Sequence, residues 1–226
     1  MNLLRWELSL PGKEVIEWVA LDDAGTVRRF VGEPGGVSSP EVGWWEGSLS
    51  PDTVGAAKAL ADRRWRAGGS QQSPPAAGAW YVSGPSARMG LWGNEPNDEV
   101  RPALAALLSA ATGAAGRPVA VAQFSATKVV IGDDTVPLLR IASLGRVQVD
   151  LELHCEPGAP AAAFMDGDGA VVGFLGSSLW LPPGSVVHAV LRDRPFEHPG
   201  LVFTGTIKNH GGDGPNPIRV VASVAG

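Results

Sequence analysis

The chain has 226 residues and carries 18 Lys and Arg against 23 Asp and Glu, a net charge of −5 with a sequence pI near 5.4. That balance argues against a nucleic-acid or anionic-membrane partner, because phosphate binding leaves a basic footprint. A chain this long buries roughly 70% of its unfolded surface, so it needs neither a disulfide nor a structural metal, and its single cysteine, Cys155, excludes an internal disulfide.

The first stretch reads as three short strands. Leu4 to Leu10 alternates apolar and polar residues and stops at the turn signal Pro11-Gly12. Glu14 to Leu21 follows, then the turn Asp22-Asp23-Ala24-Gly25, then Thr26 to Val31. Gly32 to Pro40 is a glycine- and proline-rich loop.

The best helix signal comes next. Ser50 is a good N-cap, Pro51 suits the first helical position, and Asp52 suits the positive end of the helix dipole. Val54, Ala57, Leu60 or Ala61, and Trp65 then form one stripe, and the helix is expected to end by Gly68-Gly69. Residues 68–78 are the clearest loop. Ala79–Ser83 and Arg88–Trp92 predict a hairpin across Gly84-Pro85. A second helix starts near Asn97-Asp98-Glu99 and runs through Val100, Leu104, Leu107, Leu108 and Ala111. Pro102 lies in its first turn, and Gly113 and Gly116 stop it.

After Gly116-Arg117-Pro118 no helical stripe recurs. Runs at 119–122, 128–131, 138–141, 147–153, 171–175, 186–191, 201–207 and 218–224 are short and apolar or alternating, with Gly, Pro and Asp turns between them. Asp166-Gly167-Asp168-Gly169 suits a hairpin turn. The expected fold is therefore an α+β N-terminal region, an antiparallel sheet with two helices over residues 1–115. An all-β, sandwich-like C-terminal region over 116–226 follows it. The order of strands and capped helices across residues 3–112 resembles small cytosolic peptidase-inhibitor domains of the emfourin type. The resemblance rests on element order and assigns no functional residue.

Few constellations carry chemistry. The histidines His154, His188, His198 and His210 lack metal-site spacing, and no CxxC motif accompanies them. His154 and Cys155 are neighbours in a strand and face opposite ways, so they cannot act as a nucleophile–base pair. Asp166 and Asp168 resemble the start of a calcium loop, but apolar strand follows where further oxygen ligands are required. There is no nucleophile elbow, P-loop lysine or zinc-protease helix motif. No catalytic residue, metal or cofactor is expected.

Tryptophan is the compositional excess, with 8 residues. Trp44 and Trp45, at a loop edge, cannot both face one core if the segment is extended, so one is a candidate interface anchor. Trp6, Trp18, Trp80 and Trp92 are assigned to the core. The loop containing His210, Asp213 and Asn216 is a second candidate, since long polar loops display binding residues.

The leading expectation is a non-catalytic protein-binding, structural or assembly protein, cytoplasmic, with other protein chains as partners and contact with neither membrane nor nucleic acid. The N-terminal segment Met1–Leu10 lacks the apolar stretch of a signal peptide, and no run approaches the ~20 apolar residues of a membrane span. An enzyme whose site gathers His154, Asp166, His188 and His210, or a peptidase-inhibitor-like module, or a carbohydrate-binding module using Trp44 or Trp45, is the alternative.

Overall fold

A computed structural model of the chain describes residues 2–10, 15–34, 40–63, 65, 78–85, 87–92, 99–156, 162–191, 200–209 and 214–225. The elements run β1 (Asn2–Ser9), β2 (Val15–Asp22), β3 (Thr26–Val31), β4 (Glu41–Ser48), α1 (Pro51–Ala61), β5 (Ala79–Ser83), β6 (Arg88–Gly90), α2 (Val100–Ala114) and β7 (Arg117–Ile131). Then come β8 (Asp134–Ser143), β9 (Val149–Glu156), β10 (Ala163–Met165), β11 (Val171–Phe174), β12 (Ser178–Leu181), β13 (Val186–Val190), β14 (Gly200–Asn209) and β15 (Asn216–Ala225).

These elements correct the expected fold. Among the described residues 59% lie in strands and 15% in helices, so the chain is mostly β, arranged in two antiparallel sheets. It is not an α+β region followed by a separate sandwich-like half. The difference arises in β4 and β7. β4 carries Gly43 and Gly47, residues that weaken a strand by propensity. Yet a side chain at Gly43 would strike the Ala120 carbonyl, and one at Gly47 the Ala114 carbonyl, so close backbone approach demands glycine at both. β7 runs unbroken for 15 residues through the polar stretch Gln123–Thr127, where two separate runs were expected.

The chain divides into two compact units, Met1–Phe30 with Trp45–Arg117, and Val31–Trp44 with Pro118–Gly226. In the first, the strand order is β4-β3-β2-β1-β5-β6. Ser50 caps α1, its hydroxyl accepting from the Thr53 N–H at 3.3 Å. The helix ends at Ala61, earlier than expected, and Trp65 folds back to donate its indole N–H to the Leu60 carbonyl at 2.8 Å. Leu4, Trp6, Val19, Leu21, Val27 and Val82 of the sheet pack with Ala57, Ala61, Leu104, Leu107 and Ala111 of the helices.

The opposite face of that sheet is polar and aromatic together. Glu7 accepts from Arg5 at 2.9 Å and from Arg88 at 3.2 Å. The Arg5 guanidinium lies 4.6 Å from the Trp18 ring, and that of Arg88 lies 4.8 Å from the Tyr81 ring. Cation–π contact and a shared carboxylate thus shield aromatic surface that no helix covers.

In the second unit one sheet has the order β11-β10-β13-β8-β7, and the other has β12-β9-β14-β15. β15 also runs parallel to the middle of β7, Val224 opposite Ala126 and Ala225 opposite Thr127. Along β9 the inward residues Val149, Leu151, Leu153 and Cys155 are buried, while Glu152, His154 and Glu156 are exposed. Leu201, Phe203 and Ile207 of β14 and Ile218, Val220 and Ala222 of β15 complete the same inner face. Phe203 meets Phe124 of β7 with ring centroids 6.4 Å apart.

Gly205 on β14 interrupts this face because a Cβ there would run into the Glu152 carbonyl on β9. Replacing Gly205 with Val is therefore expected to destabilise the protein by about 3 kcal/mol or more. Gly55, mid-helix and facing open space, has no such constraint. Gly55→Ala is expected to add roughly 0.5–1 kcal/mol. Chemical denaturation of both variants checks the two opposite signs.

Candidate functional site

Strand β12 reads Ser-Leu-Trp-Leu, and period-two alternation decides what each residue does. Leu179 and Leu181 are buried at 1% and 0% exposure, which turns Trp180 outward at 62%. On β11, Val171, Val172 and Phe174 are also exposed, Phe174 at 57%. Burying a large apolar side chain is worth about 1.5–3 kcal/mol, so leaving these four in water forgoes a sizeable stabilisation.

The two strands form one rim of the unit: a side chain at Gly173 of β11 would meet Leu179 and the Ser178 carbonyl of β12, and by the period of two Val172 and Phe174 point away from that contact. Both are edge strands: among the described residues β11 is hydrogen-bonded only to β10, and β12 only to β9. Edge strands normally carry charge, proline or a cover because their open backbone groups invite a partner strand. Here the edge carries two valines, a phenylalanine and a tryptophan.

The backbone beneath Phe174 is firmly held. Its N–H donates to the Ser177 hydroxyl at 3.2 Å, and its carbonyl accepts from the same hydroxyl at 2.8 Å and from the Ser177 N–H at 3.1 Å. Leu175 N–H reaches the Ala162 carbonyl at 2.9 Å and Gly176 N–H the Leu153 carbonyl at 2.7 Å. At the other end of β11, the Asp166 carboxylate accepts from the N–H groups of Asp168 and Ala170 at 3.0 and 2.9 Å, closing the hairpin turn with Gly169 at φ +81°. An exposed aromatic on a fixed backbone loses little entropy when a partner covers it.

Polar residues surround the rim. Trp180 stands opposite Asp150, which stands opposite Lys208. Asp150 accepts from the Gln148 amide at 3.1 Å, and the exposed pair Glu152 and His154 lies one row away, 3.5 Å apart. An apolar centre within a polar margin is the composition of a protein interface.

A second exposed apolar element belongs to the same unit. β7 and β8 are joined as a hairpin, and nearly every residue from Thr127 to Thr135 is exposed. Val130 at its tip is 73% exposed, and Ile131 is exposed beside it.

The residues singled out from sequence lie elsewhere. Trp44 and Trp45 are neighbours on β4 and face opposite sides, but Trp44 is buried at 3% exposure. Trp45 is half-buried against the helix-side core, 6.0 Å from the Arg29 guanidinium. Asn216 opens β15 opposite Ile207 and is half-buried. His210 and Asp213 lie outside the described residues.

The scattered histidines do not come together. His154 is on the outer face of β9, whereas His188 is on β13 in the other sheet, opposite Met165 and Arg140. Asp166 spends its carboxylate on the hairpin turn. Among the described residues no group of three His, Cys, Asp or Glu side chains could hold a metal ion. No helix among them is long and apolar enough to cross a membrane.

Val171, Val172, Phe174 and Trp180 were missed from sequence. The Leu-Trp-Leu alternation carried a signal for Trp180. The continuous apolar run Ala170–Leu175 hid the others, because it reads as a strand buried on both faces.

No protein-family model and no curated protein matches the chain. Among solved structures it is similar to an X-ray structure of a Northeast Structural Genomics Consortium target. The identity is 15%, the match covers 44% of this chain and 78% of that one, and the TM-score is 0.21.

If the Ser177 hydroxyl fixes Phe174, Ser177→Ala should loosen the rim locally. Hydrogen exchange at the Phe174 amide is expected to accelerate roughly tenfold, about the loss of one hydrogen bond, while the global unfolding transition stays within a degree or two. Unchanged exchange would show that the turn holds without the hydroxyl.

Proposed function

We propose that this protein is a non-catalytic binding or assembly component that docks another protein chain on the β11–β12 rim. The observation that carries the reading is the exposure of Val171, Val172, Phe174 and Trp180 on two edge strands of the same unit. Contiguous exposed apolar surface with a polar margin marks an interaction site. Aromatic residues at its centre supply the area that dominates binding energy.

The chemistry of the margin selects a protein partner over nucleic acid or an anionic membrane. Asp150, Glu152, Asp166 and Asp168 surround the rim or its turns, against Lys208 alone among the neighbouring rows named above, and the whole chain carries −5. A single buried cysteine and the absence of a disulfide fit a cytoplasmic setting.

Site-specific photo-crosslinking in cells that produce the protein tests this reading. A photoreactive phenylalanine analogue at position 174 or 180 is expected to give protein adducts at least tenfold above the same group at Gly55 on the exposed face of α1. Equal labelling at all three positions would sink the idea of a docking rim.

A further inference from the structure

We propose that the sheet of the first unit carries a second site, unrelated to the rim, where Arg5, Ser83 and Arg88 hold a single phosphoryl group. Strand register sets the three in one row. Arg5 of β1 stands opposite Ser83 of β5, and Ser83 stands opposite Arg88 of β6. Residues directly opposite share a face with Cβ atoms about 5 Å apart, so a hydroxyl lies midway between two arginines. Trp6, Val82 and Met89, their neighbours along the strands, are buried in the helix-side core, so this row points the other way.

The next row holds the arginines in place. Glu7 stands between Trp18 and Tyr81, one carboxylate oxygen accepting from Arg5 Nε at 2.9 Å and the other from Arg88 Nη2 at 3.2 Å. The Trp18 ring lies 4.6 Å from the Arg5 guanidinium, and the Tyr81 ring 4.8 Å from that of Arg88. Trp92 backs Tyr81 edge to face at 4.9 Å, and it covers Gly90 so closely that a Cβ there would strike its ring. Stacking and the bonds to Glu7 remove rotamer freedom before a ligand arrives, which lowers the cost of binding one.

Donors and charge select the ligand. A guanidinium carries several N–H donors, and Glu7 takes one from each arginine. Two positive charges meet one carboxylate, so the cluster keeps an unmatched positive charge. The side chains of Arg5 and Arg88 are 36% and 55% exposed, which leaves their other donors within reach. Among the described residues the Ser83 hydroxyl makes no hydrogen bond. Donors from three side chains ask for three acceptor oxygens on one group, which a tetrahedral phosphate monoester offers and a planar carboxylate does not. One unmatched charge suits one phosphoryl group, and the net charge of −5 still argues against an extended polyanion.

The test titrates the full chain with inorganic phosphate at low salt and follows the arginine Nε–H signals by NMR. Phosphate is expected to shift Arg5 and Arg88 saturably, and acetate to bind at least roughly tenfold more weakly. Arg5→Gln and Arg88→Gln should each weaken phosphate binding about tenfold or more, with thermal transitions confirming that both variants fold. Arg88→Lys keeps the charge but not the fork and should lose most of the same affinity. Lys58→Gln, at an exposed cation on α1, should change nothing.

No saturable shift by about 10 mM phosphate overturns the site, since binding weaker than that is not specific. Equal binding of acetate overturns the phosphoryl assignment. Equal losses in Arg88→Gln and Lys58→Gln would show bulk charge in place of a built site. Glycerol phosphate and a phosphoserine peptide then name the source, the tighter probe separating a small phosphorylated molecule from a phosphorylated chain. Photo-crosslinking at the rim is untouched by any of these results.

Discussion

A strand in a two-sided sheet buries every second side chain, and that period organises the second unit. β9 obeys it without exception: Val149, Leu151, Leu153 and Cys155 go in, and the residues between them go out. A slip of one residue would expose the whole inner set, so the register of β9 on β14 and β12 is strongly fixed. The Phe124–Phe203 contact joins the two inner faces. Once that register is fixed, Trp180 has no choice of side. Leu179 and Leu181 take the core, and the indole between them is left in water by the same constraint that makes the core.

The two units handle aromatic residues outside the helix-side core differently. In the first, Trp18 and Tyr81 lie beneath arginines that Glu7 holds in place, so their π-faces are already occupied. In the second, Phe174 and Trp180 stay more than half exposed on a backbone fixed by Ser177 and by the Asp166 turn. Covering the first pair costs two arginines and a glutamate on the same face. The second pair is held ready and left open, which is the arrangement a docking surface requires.

Local signals made the helices legible. Ser50, Pro51 and Asp52 mark the start of α1, and Leu104, Leu107 and Ala111 form the stripe of α2; both helices stand where those residues put them. β4 was not legible, because the reasons for Gly43 and Gly47 are the carbonyls of Ala120 and Ala114, more than sixty residues further along the chain. Without those partners, glycine in a segment only weakens a strand assignment. The site failed for a related reason. Adjacent tryptophans drew attention to Trp44, yet its burial depends on a β4 strand that glycine had concealed. The apolar run around Phe174 looked like interior, since only the sheet order shows that β11 is an edge.

An open apolar edge must be selective, or it becomes a site of aggregation. Three features limit what can settle on this one. β11 and β12 are only four residues long, so a stray strand gains few backbone hydrogen bonds there. Acidic residues punctuate the approaches, with Asp166 and Asp168 at the turn before β11 and Asp150 beside Trp180. Charges that flank an apolar strand raise the cost of indiscriminate stacking without blocking a partner shaped to avoid them. With the ladder short and the nearby charges mostly acidic, side-chain fit at Phe174 and Trp180 would decide which partner the proposed docking edge accepts. Fit of that kind depends on a rigid backbone, and the Ser177 and Asp166 hydrogen bonds supply it.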